Sequence, residues 1–144
     1  SVLDVGCGKG FLLYEMKLLL PELNVNGIDI SEYAVSHCPE ELKGDIQVGD
    51  ATSLPFEDDS FDLVFSLNVF HNLHNYNLEE ALNEFQRVGR LHKYICVESY
   101  RNEIEKANLL YWQVTCEAFC TPKEWEWWFK QSGYVGDHSF IYFE

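Results

Sequence analysis

At 144 residues with 47% hydrophobic side chains, the chain is long enough to bury one sizeable core. Its net charge of −14, from 24 acidic against 10 basic residues without a Lys/Arg cluster, weighs against a nucleic-acid or polybasic membrane contact. No run approaches the roughly 20 apolar residues of a membrane span. The odd set of five scattered cysteines (7, 38, 96, 116 and 120) fits reduced thiols in a cytoplasmic protein better than disulfides, and lacks the second ligand pair of a zinc site. Taken in order, residues 2–5 predict a first strand, and Phe11 to Leu20 an apolar helix closed by Pro21. A second strand spans 25–30, and Ser31 is a candidate N-cap for a short helix running to His37 before Pro39. Strands near 45–48 and 62–66 follow, the latter apolar enough to be buried on both faces. Leu78, Leu82, Phe85 and Val88 form a helical stripe over 78–89. Tyr94–Val97 reads as a fifth strand, 123–132 as a helix after Thr121-Pro122, and the segment from Gly133 to Phe143 as a sixth strand. This alternation predicts an α/β fold, a doubly wound and mostly parallel sheet with helices on both faces.

Three glycines, Gly6, Gly8 and Gly10, alternate directly after the first strand, where an open α/β sheet places a nucleotide-like ligand. Glycines there permit a tight turn and let a ligand approach the main chain. Asp29 ends the second strand and can accept hydrogen bonds from ribose hydroxyls. The dinucleotide pattern G-x-G-x-x-G/A would put a small residue at position 11, where Phe11 stands. A phenyl ring there would push the helix away from a pyrophosphate, which disfavours an NAD-dependent oxidoreductase. Asp29 lies 19 residues after Gly10, a spacing that suits any ribose-binding domain.

The run Asp4-x-Gly6-x-Gly8-x-Gly10 resembles motif I of the class I S-adenosylmethionine-dependent methyltransferases. Gly49-Asp50-Ala51, the run Leu54-Pro55-Phe56 through Ser60-Phe61-Asp62-Leu63-Val64, and Ser66 to Leu73 resemble later motifs of that family in the same order. The resemblance covers roughly the first half of the chain. It implies a Rossmann-like sheet in the order 3-2-1-4-5-6 with S-adenosylmethionine as cofactor. On this likeness Asp4 anchors the methionine end, with Gly6, Cys7, Gly8 and Gly10 forming the loop beneath it. Asp29 holds the ribose and Ile30 flanks the adenine. Asp50 and Ala51 frame the adenine edge, while Leu67 and Asn68 line the methyl-transfer mouth. Family members usually carry helical residues before motif I and a seventh strand. The chain therefore reads as a single domain over 1–144, truncated at the N-terminus and lacking the seventh strand, from a longer protein.

The expected reaction transfers a methyl group to a small-molecule acceptor. A sulfonium is already a good leaving group, so orientation dominates, and a general base typically adds only about 10²–10⁴-fold. His71, just after the fourth strand, is the nominee for that base, because an imidazole takes a proton near neutral pH. The segment 100–128 is rich in aromatics and falls where the family commonly places substrate-facing structure. Tyr100, Tyr111 and Trp112 are candidates to wall the acceptor, with Arg101 to orient an anionic group. Trp125 and Trp128, three residues apart, can share a helix face and so suit core packing, whereas Trp127 lies off that face. Asn68-Val69-Phe70-His71 stands where a nitrogen-specific acidic-Pro-Pro-aromatic motif would lie, which argues mildly against an amide or nucleobase acceptor. A cofactor-binding protein without catalysis is the alternative. The acceptor atom and the oligomeric state do not follow from the sequence.

Overall fold

In the computed structural model, which describes residues 1–144, the chain runs through β1 (Val2–Val5), α1 (Phe11–Leu19), β2 (Val25–Asp29) and α2 (Glu32–Ser36). It continues with β3 (Ile46–Val48), β4 (Phe61–Leu67), α3 (Asn75–Val88) and β5 (Gly89–Glu98). The last elements are α4 (Glu103–Trp112), α5 (Pro122–Gln131) and β6 (Asp137–Ile141). Short 3-10 turns at Glu40–Leu42 and Phe70–Asn72 precede β3 and α3. All strand pairs are parallel, and the order is β3-β2-β1-β4-β5-β6. The reversal of strand order beside β1 leaves a crevice at the carboxyl ends of β1, β2 and β4, the usual ligand position in such sheets.

Alternation along the central strands divides the core into two layers. Leu3, Val5, Val64, Ile95 and Val97 pack with Leu78, Leu82 and Phe85 of α3 and Trp125 and Phe129 of α5. On the opposite face Val2, Val25 and Phe65 pack with Leu13 of α1, Leu42 and Ile46. Beyond α1 this second face is open, and Leu12, Met16, Leu63, Phe65, Leu67 and Tyr94 line an apolar groove on it. No helix is long and apolar enough to cross a membrane. All five cysteines are unpaired.

Caps explain the helix starts. The Ser31 hydroxyl accepts from the Ala34 amide at 3.1 Å, as its position predicts. Thr121 and Glu124 form a reciprocal capping box with Pro122 at the first position of α5. The run from Leu54 to Asp62 is tied to α3 by Arg87, whose guanidinium donates to the carbonyls of Phe56 (2.7 Å) and Leu54 (3.0 Å) and to Asp58 and Glu84. Glu84 in turn accepts from the Leu54 amide at 2.7 Å.

Three elements depart from the sequence reading, the first being the sixth strand, which covers only Asp137–Ile141 and leaves Gly133–Gly136 outside it. β5 begins at Gly89, well before the expected Tyr94, and follows α3 without a loop. Its polar start hid it, since the charged Lys93 is buried with its aliphatic stem packed over Gly89. The segment 100–128 also contains α4, which the sequence reading omitted. Asn102 caps it, accepting from the amides of Ile104 and Glu105 at 3.0 and 2.9 Å. As expected, Trp125 is a core residue, fully buried, with its indole N–H donating to the Glu98 carbonyl at 3.2 Å. Trp125→Ala should cost about 3–5 kcal/mol of stability, the usual range for removing a buried aromatic. Chemical denaturation will measure this, and a loss below 1 kcal/mol would contradict the packing described here.

Candidate cofactor and acceptor site

The loop after β1 is fixed at one glycine and open at the next. Gly6 has φ +86°, and a Cβ there would lie 2.1 Å from Cγ2 of Val69, so only glycine lets the loop pass the chain leaving β4. At Gly8, with φ +57°, an added Cβ would meet nothing within 4 Å, leaving open space above the main chain. The Gly6 and Cys7 amides donate to the Ile28 carbonyl at 2.7 and 3.1 Å. The Gly8 amide donates to Oδ2 of Asp29 at 2.7 Å, and the Ser31 amide to its Oδ1 at 2.9 Å. Asp29 thus clamps the glycine loop to the end of β2, and its carboxylate keeps further lone pairs for a ligand's hydroxyls.

Phe11, the first residue of α1, is 61% exposed. Close approach falls to Gly10, the N-cap of α1, where an added Cβ would sit 2.8 Å from Leu42.

A cleft of about 380 Å³ opens beside this loop, within the range of small-molecule sites. It brings together seven of the predicted residues: Gly6, Asp29, Ile30, Asp50, Ala51, Leu67 and Asn68. Ile30 and Leu67 expose apolar surface to it, while Asp50 sits in a turn with Oδ1 accepting from the Thr52 amide and hydroxyl at 2.9 and 2.8 Å. Val69, Asn72 and Leu73 also line the cleft and were missed. Asn68 adopts φ +62°, a left-handed conformation that asparagine tolerates better than most residues. Asn72 donates from Nδ2 to the Asn68 carbonyl at 3.2 Å and accepts from the Thr115 hydroxyl at 3.0 Å. Its place four residues after Asn68 was the available signal.

Asp4, Cys7, Gly8 and Gly10 stand behind or beside this cleft. Asp4 is only 5% exposed, and burial, reinforced by the negative charge of Asp29, pushes its carboxyl up to about 7. The Cys7 thiol is raised to about 12, chiefly by burial and by Asp4, so it is not a reactive thiolate.

His71 does not reach the cleft. It is 1% exposed, and burial lowers its imidazole to about 4. Nδ1 accepts from the Glu98 backbone amide at 3.2 Å, so the neutral ring carries its proton on Nε2, which lies 3.3 Å from Oε2 of Glu98. A base needs a free nitrogen lone pair beside the reacting atom. His71 offers none here, and the base role expected from its position gives way to an anchoring one.

The substrate-side candidates are dispersed. Arg101 already pairs with Glu105 and Glu144 and lies 4.0 Å over the ring of Tyr142, so its charge is matched within the protein. Tyr100 is half-buried beneath the Lys106 ammonium, 5.3 Å from its ring. Tyr111 and Trp112 at the end of α4 are 82% and 65% exposed, in edge contact with each other and away from the cleft lining. Trp127 is exposed and Trp128 only partly buried.

Comparison with known proteins identifies what this arrangement belongs to. The methyltransferase-domain family profile matches residues 1–133. The chain belongs to the S-adenosylmethionine-dependent methyltransferases. It is 36% identical over 94 residues to demethylmenaquinone methyltransferase of Thermotoga maritima, covering 63% of this chain and 41% of that protein. It is 30% identical over 110 residues to a tRNA (carboxymethyluridine(34)-5-O)-methyltransferase of Arabidopsis thaliana, covering 76% of this chain and 26% of that one. The solved structure of an S-adenosylmethionine-dependent methyltransferase from Archaeoglobus fulgidus superposes with a TM-score of 0.68 at 26% identity, over 92% of this chain and 59% of its own. The chain thus spans less than half the length of these two curated relatives. The family's cofactor is S-adenosylmethionine, and the open main chain at Gly8 beside Asp29 and Asp50 fits it.

The Asp4 carboxyl gives a stability signature. Its folded-state value lies above the ordinary 3.8, so the unliganded protein is favoured at low pH by this group and loses that contribution as pH rises from about 4 through 7. Asp4→Asn should flatten the decline, leaving the variant more stable than the wild type at pH 8 by roughly 5 °C in melting temperature. Parallel melting curves from pH 5 to 8 that stay superimposable would refute it.

Proposed function

We propose that the protein transfers a methyl group from S-adenosylmethionine to a small-molecule acceptor. The observation that carries this reading is the convergence of Gly6, Asp29, Asp50, Ala51 and Asn68 on one cleft at the strand-order reversal. When bound, the cofactor supplies a methyl group on a sulfonium, a leaving group that needs no activation. The chain's part is to hold, orient and exclude water. Asp29 accepts from the ribose hydroxyls while keeping the Gly8 amide. Ile30 and Ala51 enclose the adenine, and Asp50 meets its edge. Asp4, with Gly6, Cys7, Gly8 and Gly10, supports the cationic end. Leu67, Asn68 and Asn72 form the mouth through which the acceptor approaches. Tyr100, Arg101, Tyr111 and Trp112, all outside the cleft lining, are the acceptor contacts that the family resemblance implies. Good alignment of this kind contributes roughly 7–11 kcal/mol of barrier lowering in favourable systems.

The net charge of −14 supports a small-molecule acceptor over a nucleic acid. The Thermotoga relative's name points the same way, while the Arabidopsis relative's names a tRNA, so acceptor trials include both kinds. A cofactor-binding protein without turnover is the second reading. The burial of His71, which leaves no imidazole at the mouth, is the observation that favours it.

Calorimetric titration with S-adenosylmethionine and S-adenosylhomocysteine tests the cofactor site. Micromolar binding is expected, weakened at least tenfold in Asp29→Ala, and no binding by the wild type would sink the proposal. Ionised Asp4 attracts a cation, so S-adenosylmethionine affinity should rise between pH 6 and 8, and the Asp4→Asn variant should lose this dependence. Methyl transfer to any member of an acceptor panel separates the enzyme from the silent binder.

A further inference from the structure

Glu98, the last residue of β5, is 3% exposed, and its Oε2 is the one buried side-chain nitrogen or oxygen without a hydrogen-bond partner. A buried carboxylate with an unpartnered oxygen is costly, so a purely structural position would favour an apolar residue. Its surroundings indicate why a carboxylate stands there. Gln113, the residue that caps the end of α4, donates from Nε2 to Oε1. His71 presents its Nε2, the protonated ring nitrogen, 3.3 Å from Oε2. Gln113 donates to one oxygen, while the Nε2–H of His71 lies close to the other without completing a hydrogen bond, and a carboxylate suits both because it presents two acceptor oxygens and no donor.

The backbone of the same residue completes the arrangement. Its amide donates to His71 Nδ1 at 3.2 Å, and its carbonyl accepts from Trp125 Nε1 at 3.2 Å. Glu98 therefore holds one ring nitrogen of His71 through its backbone amide and places Oε2 3.3 Å from the other without a hydrogen bond. The His71 carbonyl then accepts from the Glu117 and Ala118 amides, both at 2.9 Å, fastening the segment 113–121 to the Phe70–Asn72 turn. Asn72, next to His71, both lines the cleft and holds Thr115 of that segment.

We propose that Glu98 is a positioning residue, which through His71 and Gln113 holds the Phe70–Asn72 turn and residues 113–121 together as a rigid acceptor wall beside the cleft. This rests on the methyl-transfer reading, since the wall matters because an acceptor must be aligned against it. Glu98→Gln keeps the length and the Gln113 contact but can set an amide N–H against the His71 Nε2–H. Gln113→Ala releases the α4 end and leaves the buried carboxylate in place, which guards against a Glu98 variant that fails to fold.

Both variants are made in the full-length chain and followed by histidine ¹⁵N NMR, amide hydrogen exchange and S-adenosylmethionine calorimetry. In the wild type the His71 ring should stay neutral, as the Nε2–H tautomer, from pH 5.5 to 8. Glu98→Gln should alter that tautomer signal. In both variants exchange at Glu117 and Ala118 should accelerate at least tenfold while Ile95 and Val97 change less than twofold. Cofactor affinity should stay within threefold of wild type. Exchange at Glu117 and Ala118 that is unchanged, or that rises only in step with Ile95 and Val97, would overturn the proposal. Failure of the wild type itself to bind S-adenosylmethionine would instead strike at the methyl-transfer reading, so the two failures are distinguishable.

Discussion

The close passage of Gly6 beneath Val69 is the constraint on which the cleft depends. With any side chain at position 6 the chain leaving β1 could not lie against the chain leaving β4, and the two strand ends that bracket the crevice would separate. Strand order does the rest. Because β2 lies on one side of β1 and β4 on the other, the connections leaving those strands diverge and a space opens between them. Asp29 then ties the loop down from the β2 side through the Gly8 amide, so the floor of the cleft is fixed by backbone hydrogen bonds and one carboxylate.

That carboxylate is one of several near the site, and the cleft is acidic for a reason that shows in Asp4. A buried acid beside a second acid resists ionisation, which places Asp4 near neutrality in the unliganded protein. A cationic ligand reverses the balance by supplying the charge that the protein lacks there. The arrangement sacrifices some stability of the empty fold for attraction toward a positively charged molecule. Strained or destabilised groups at a binding site are expected on this ground.

Behind the cleft the same chemistry is used differently. His71 and Glu98 are both titratable and both buried, but they face each other and not the cleft. Their contribution is geometric, through the segments they bind. This side of the cleft is lined by carboxamides and apolar side chains: Leu67, Asn68, Val69, Asn72 and Leu73.

Local chemistry determined much of this protein from the sequence alone. The glycine loop, the acid ending β2, the Ser31 cap and the alternation of strands and helices were all legible, because each depends on residues close together along the chain. So were seven of the residues that meet in the cleft. Tertiary structure decided what depends on distant neighbours. It turned Phe11 to solvent, extended β5 back to Gly89 under a buried lysine stem, and matched Arg101 with Glu105 and Glu144. It also enclosed His71 behind the cleft, where the backbone amide of Glu98, 27 residues away, takes the lone pair of its Nδ1. A side chain's type and position in a motif reveal what it could do, but burial and partners supplied by other segments set which atoms remain free to do it.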